Sequence, residues 1–303
     1  MNRALAAIAI VLGACAPPQA APTLDSGATQ TDAGKTDALP RSFVDQLAGK
    51  KLLWVGAHPD DESTVAPLLG EACNERGARC SFLVMTQGEG GSCFRAERCS
   101  PDLATVRVAE MKAAAVLVNG TVVQWDFGDG KSTDPNQVAM NWAALNGGPD
   151  ALIAKVRGAI EAAAPDVVFL FDPRHGTTCH ADHRAAAGLV TMALKQMGAA
   201  APVAWLAEVK FLIGPNESTI GYGLAVPDDT RPVSYDATRS TAGAPGGTWD
   251  YLLANLKAHR SQFASSRVAA FAMAPSEQRR VFLLSLEEAQ STTADQRYDS
   301  LCN

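Results

Sequence analysis

The 303 residues contain no run of lysine or arginine, and 32 acidic side chains outnumber 26 basic ones for a formal net charge of -6. A chain whose main task is to grip a phosphate backbone needs a basic face, so nucleic acid is a poor partner. No strand-like segment leads through G-x-G-x-x-G into a helix, which leaves a nicotinamide cofactor without support. None of the cysteines forms a C-x2-C pair, which argues against a structural zinc knuckle. The apolar run Leu5 to Leu12 is too short to span a bilayer as a mature helix. Histidine is scarce, five residues in all, and His175, His180 and His183 crowd one short stretch.

What is present begins with an export signature. "MNRALAAIAIVLGACAPPQA" sets Arg3 before the short apolar run and small residues before Cys15, the pattern of a secretory signal. "LGAC" is similar to the bacterial lipobox, in which the cysteine is acylated and becomes the new N-terminus. This implies a signal peptide over 1–14, a lipid anchor at Cys15 and a protein exported to a bacterial membrane; a plain signal cut near "AAP" is the alternative. Residues 15–41 hold almost no large apolar side chains and read as a flexible linker. Six further cysteines in an oxidising compartment favour disulfides, and proximity suggests 73 with 80, 93 with 99 and 179 with 302.

Residues 42–303 read as one domain. "KLLWVGA", "CSFLVMT", "TVVQWDF" and "DVVFLF" have strand character. "TVAPLLGEACNERG", "DLATVRVAEMKAAAVLVNG", "PDALIAKVRGAIEAAAP" and "ADHRAAAGLVTMALKQMG" carry apolar residues at helical spacing between glycine and proline stops. Residues 87–101 read as a long loop. The alternation predicts an α/β fold, a Rossmann-like, mostly parallel sheet with helices on both faces. In the C-terminal third, "VAWLAEVKFLIG" and "TIGYGLAV" suggest extra, antiparallel edge strands, and "WDYLLANLKAHRSQF" a helix. Trp54, Trp125 and Trp205 are expected in the core.

Two clusters follow strands. "AHPDDE" ends the first, and "DPRHGTTCHADHR" lies between "DVVFLF" and the next helix. Parallel sheets bind ligands at the carboxyl ends of their strands, so the clusters converge if those strands are neighbours. His58, one of the two aspartates after it and one histidine of His180-x-x-His183 supply two nitrogens and an oxygen, a donor set that suits a catalytic zinc with an open position. Zinc makes a bound water acidic near neutral pH, and the spare aspartate can take its proton. The competing structural readings make Asp60 and Asp61 a helix-capping turn, Asp182 an N-cap and His175 a loop residue.

"AHPDDE" with "HADH" resembles the PIG-L/LmbE-like family of zinc-dependent de-N-acetylases. "TQGEGG", "RVAEMKAAAVLVNG", "WDFGDG" and "KAHRSQF" resemble further family segments in the same order, over roughly residues 50–265. The resemblance implies an LmbE-like fold and zinc, or another divalent ion, on His58, Asp61 and His183. It implies Asp60 as general base, His180 as the group polarising the amide oxygen and Asp182 as the group orienting a histidine. Arg107 and Asp129 match positions that face substrate, and His259 reads either as a group that faces substrate or as one that supports the site from behind. The implied substrate is an N-acetylated amino sugar or glycoconjugate; a non-catalytic sugar-binding lipoprotein and a zinc amidase for another acylated amine are the other readings. A bridge at Cys179 would fasten the chain next to His180, whereas a free thiol there could compete for the metal.

Overall fold

The computed structural model describes residues 42–94, 96–208 and 233–289, with the backbone of 212–213 and 220–221. The expected signal segment, Cys15, the 15–41 linker and Cys302 lie outside the described residues. In chain order come helix α1 (Phe43–Gln46), β1 (Lys51–Gly56), α2 (Ala66–Glu75), β2 (Arg79–Val84), α3 (Leu103–Val116), β3 (Thr121–Gln124), α4 (Pro135–Leu145) and α5 (Pro149–Ala163). Then follow β4 (Val167–Phe171), the helical turn α6 (Gly176–Cys179), α7 (Ala181–Met197), β5 (Val203–Glu208), β6 (Leu212–Ile213), β7 (Ile220–Gly221) and β8 (Val233–Asp236). Helices α8 (Trp249–Ala258) and α9 (Ser265–Ala272), strand β9 (Arg280–Ser285) and α10 (Leu286–Ala289) complete the order.

Seven strands form one sheet in the order β3-β2-β1-β4-β5-β9-β8, parallel from β3 to β5 and antiparallel at β9 and β8. The central strands are apolar on both sides because both faces are covered. Leu52, Trp54, Val167 and Phe169 pack with helices α2 and α8, whereas Leu53, Val55, Val168 and Leu170 pack with α5 and α7. Strand alternation, period two, sends successive side chains to opposite cores.

The chain builds outward from β1 through β2 to β3 and then returns to place β4 on the other side of β1. Leu52, Leu53 and Trp54 of β1 pair with Val167, Val168 and Phe169 of β4. The crevice at the carboxyl ends of β1 and β4 is therefore the topological switch point of the sheet, where ligands bind in such folds.

The C-terminal third adds antiparallel edge strands as expected, but from other segments, while β6 and β7 pair antiparallel with each other in a separate two-stranded sheet. Residues 203–208 join the parallel part, and the edge is made by β9 and β8, whose sequences "RVFLLS" and "VSYD" had given no signal. Trp54 is fully buried, whereas Trp205 is half-buried edge-on to Phe43 and Trp125 is half-buried, stacked on Phe127 with the Lys155 ammonium over its ring. Disulfides join Cys73 to Cys80 and Cys93 to Cys99. Cys179 is also disulfide-bonded, while Cys302, its expected partner, is outside the described residues. Among the described residues no helix is long and apolar enough to cross a membrane.

Candidate metal centre

β1 ends at Gly56, and its glycine is required by what folds over it. A Cβ there would stand 2.7 Å from Trp54 Nε1 and 3.0 Å from Asp61 Oδ2. The space lets the Asp61 carboxylate turn back under the strand end, where Oδ2 accepts the N–H groups of Ala57 (2.8 Å) and His58 (2.9 Å). Oδ1 is left facing the crevice.

β4 delivers the second half. Gly176, Thr177 and Cys179 all have positive φ (53°, 68° and 60°), which coils the chain tightly before α7. A Cβ on Gly176 would lie 2.8 Å from that of His183, so glycine is again the residue that fits. The Gly176 carbonyl accepts from His183 Nδ1 at 2.9 Å. His180 caps α7: its Nδ1 accepts the Asp182 N–H at 3.3 Å.

These bonds assign protons. His183 carries its hydrogen on Nδ1, leaving the Nε2 lone pair exposed to the crevice. His58 presents Nε2 to Asp129 Oδ1 (2.9 Å) and Asp182 Oδ2 (3.3 Å), so its hydrogen sits there and its Nδ1 lone pair is the free one. His58 Nδ1, His183 Nε2 and Asp61 Oδ1 then meet at separations of 3.1, 3.1 and 3.7 Å. Among three atoms so close there must lie either a second proton on His58, which its acidic neighbours favour, or a metal cation in that proton's place. Ligand atoms around a tetrahedral zinc with bonds near 2.05 Å are about 3.3 Å apart, and this triangle has that size. The three residues therefore fit a divalent ion.

Among the described residues His180 also brings a possible ligand atom near those of His58 and His183, and two further groupings do so elsewhere: His58 with Asp129 and Asp182, and Asp172 with His175 and Glu208. The first surrounds the protonated side of His58 and orients it. In the second, His175 Nδ1 accepts from Thr177 N–H at 3.0 Å, which puts its hydrogen on Nε2, facing Glu208 (3.2 Å) and Asp172 (3.6 Å). Arg174 already grips Asp172 with its guanidinium. That cluster is an internal ion-pair network, and it corrects the expectation of His175 as an ordinary loop residue, since the ring is fully buried.

Asp60 stands beside the ligand triad with φ 107°, a left-handed conformation that side chains rarely adopt. Its carboxylate meets Arg107 Nη2 at 3.1 Å. Burial pushes Asp60 above the usual carboxylate range, although Arg107 opposes the rise. Burial also pushes Asp61 up, but the neighbouring His183 and His58 outweigh it and hold that carboxyl well below the range. His58 moves well above the ordinary histidine value, because Asp129, Asp182 and Asp61 overcome the cost of burial. His180, exposed at the mouth, is lowered by partial burial and by the other two histidines, and because its Nδ1 accepts the Asp182 N–H its hydrogen sits on Nε2.

The capping readings do not describe these residues. Asp60 makes no side-chain cap bond, the α7 cap is His180, and Asp182 is fully buried against His58 and the Gly130 N–H at 3.1 Å. The structure buries the three residues read as substrate-facing candidates behind the site. Arg107 is buried on Asp60 and on the carbonyls of Pro59 and Gly88. Asp129 is buried on His58 and the Gly90 N–H, and His259 is completely buried on Glu62 at 2.6 Å. Sequence reasoning missed Glu62, although it closes the "AHPDDE" stretch, and Glu110, which accepts from Ser261 N–H and Oγ–H.

A doubly covered, mostly parallel sheet that gathers a His–Asp–His donor set and a spare carboxylate at its switch point defines the class. Residues 53–194, a little under half of the chain, match the family described as PIG-L: GlcNAc-PI de-N-acetylase. A 1D-myo-inositol 2-acetamido-2-deoxy-alpha-D-glucopyranoside deacetylase of Rhodococcus erythropolis (strain PR4 / NBRC 100887) is 30% identical over 168 residues, 51% of this chain and 56% of that protein. The chain thus spans little more than half the length of this relative. The N,N'-diacetylchitobiose deacetylase of Pyrococcus horikoshii has a similar structure, with TM-score 0.51 and 17% identity over 79% of this chain and 84% of its own. So does the 4-carboxy-2-hydroxymuconate hydratase GalB of Pseudomonas putida KT2440, at TM-score 0.51 and 17% identity over 78% and 96%. At such identities the likeness is one of fold, and activity must be argued from the site.

Proposed function

We propose that the chain is a zinc-dependent hydrolase that removes an acetyl or other acyl group from the nitrogen of an amino sugar, such as an N-acetylglucosamine unit in a saccharide or glycoconjugate. The observation that carries this reading is the convergence of the His58 Nδ1, His183 Nε2 and Asp61 Oδ1 atoms next to a second carboxylate, Asp60, that burial raises where Asp61 is held down. A divalent ion held by that triad supplies Lewis acidity to water and to the acyl carbonyl. Zinc is the ion the two-nitrogen, one-oxygen set suits, though such donors tolerate other divalent metals.

The chain's own residues do the rest. Asp60, raised by burial, takes a proton from the attacking water and hands it to the departing nitrogen, so that one amide and one water become a carboxylate and an amine. Neutral His180 donates from Nε2 to the acyl oxygen as negative charge grows there. Asp129 and Asp182 hold the His58 ring, and Gly176 holds that of His183.

Amine and acetate release from a panel of N-acylated substrates tests the reading. Zinc-loaded protein should release acetate from an N-acetylated amino sugar, and zinc-loaded Asp60→Ala should not. Binding of saccharide without turnover would favour a sugar-binding protein; release only from other acylated amines would favour a different amidase. We further propose export and a lipid anchor at Cys15, supported by the disulfides at Cys73–Cys80, Cys93–Cys99 and Cys179, since such bonds persist in oxidising compartments. Loss of fatty-acid labelling in Cys15→Ser is the expected result; unchanged labelling would refute the anchor.

A further inference from the structure

The general base has an improbable backbone. A non-glycine residue at φ 107°, ψ -15° costs on the order of 1–3 kcal/mol and persists only where its surroundings over-determine it. What holds Asp60 there is mostly not the metal ligands. Its N–H donates to Glu62 Oε2 at 3.0 Å. Glu62 is 2% exposed, and its other oxygen, Oε1, accepts His259 Nε2–H at 2.6 Å and Asn255 Nδ2–H at 2.9 Å. The two oxygens divide their work, one fastened to α8 and the turn behind it, the other to the peptide of the base.

The same turn is tied to the base by a second route. Ser261 donates its N–H and Oγ–H to Glu110 at 2.9 and 2.6 Å. Glu110 lies three residues after Arg107 on α3, so both project from one face of that helix. Arg107 reaches the Asp60 carboxylate and the Pro59 carbonyl. A closed loop thus runs by hydrogen bonds from Asp60 through Glu62 to His259, along the chain to Ser261, by hydrogen bonds to Glu110, along α3 to Arg107 and by an ion pair back to Asp60.

We propose that Glu62 and His259 are positioning residues, a buried pair that holds the Asp60 peptide in its left-handed conformation and so aims the base. The proposal rests on the hydrolase reading above for its kinetic consequence, but its physical content concerns one amide. A charge-assisted hydrogen bond of this kind is worth enough to change an equilibrium about 10- to 100-fold.

The test is amide hydrogen exchange at Asp60, with zinc affinity and steady-state kinetics, in zinc-loaded wild type, His259→Ala, His259→Gln and Glu62→Gln. Glutamine at 259 can return an N–H to Glu62, whereas glutamine at 62 weakens the acceptor. Protection of the Asp60 amide should fall about 10- to 100-fold in His259→Ala and Glu62→Gln and recover in His259→Gln, with zinc affinity unchanged. The rate constant kcat should fall in parallel while KM stays within about twofold. Unchanged protection of the Asp60 amide in both weakened variants would overturn the proposal, as would a rise in KM at constant kcat, which would return His259 to the substrate. If wild type hydrolyses nothing, the exchange result still decides the positioning claim, and only the hydrolase reading fails.

Discussion

Asp60 and Asp61 are adjacent, yet their surroundings push them in opposite directions: burial raises the first, and two histidines hold the second down. Such a pair divides into a proton acceptor and a permanent anion. Asp60→Ala should therefore lower kcat by about 100- to 10,000-fold while zinc stays bound. His58→Ala should instead lose the metal, so metal analysis beside kinetics separates the two roles. Asp129 offers a sharper contrast, because the sequence suggested a substrate contact and the structure places it 2.9 Å from the far side of His58. Asp129→Ala should weaken zinc binding about 10- to 100-fold with little change in KM once zinc is saturating. A raised KM at full occupancy would restore the first reading. These second contacts were illegible in the sequence for a physical reason: His58 meets Asp182 across 124 positions and Glu62 meets His259 across 197. Motif spacing carries no record of such pairings.

At the scale of elements, what could be read was what periodicity writes. β1, β2, β4, α3, α5 and α7 have long apolar patterns and appear close to where they were expected, and the two motif-bearing segments fall at the ends of paired strands. Helix α4 escaped because only Val138, Trp142 and Ala143 are buried, too thin a stripe to stand out. β8 escaped because four residues with one buried side chain resemble a loop.

The loop from β4 to α7 makes a prediction of its own. His175 is raised to about 9, burial being outweighed by Asp172 and Glu208, and its charged form must give up the Thr177 N–H that its neutral Nδ1 accepts. A histidine whose folded pKa exceeds its unfolded value stabilises fully below about 6.5 and loses that contribution as pH rises through about 9. Unfolding free energy measured from pH 6 to 10 should decline in wild type, and the decline should shrink in His175→Gln. Parallel curves for the two proteins would show that this network does not act through the histidine.

For the molecule as a whole, strand polarity separates stability from chemistry. The site occupies the carboxyl ends of β1 and β4, whereas Cys80 lies near the start of β2 and is joined to Cys73 at the end of α2. Closing so short a loop contributes about 2.5 kcal/mol on a chain-entropy estimate. Replacing both cysteines by alanine should reduce unfolding free energy by that order in a denaturant titration and leave kcat unaltered.

The ion's place is what everything else depends on, and His58 offers it two sides. Anomalous diffraction from zinc-soaked crystals distinguishes them in one experiment. A peak within about 2.0–2.2 Å of His58 Nδ1, Asp61 Oδ1 and His183 Nε2 is the predicted result. A peak on His58 Nε2 between Asp129 and Asp182, or none among the three predicted atoms, would contradict the account.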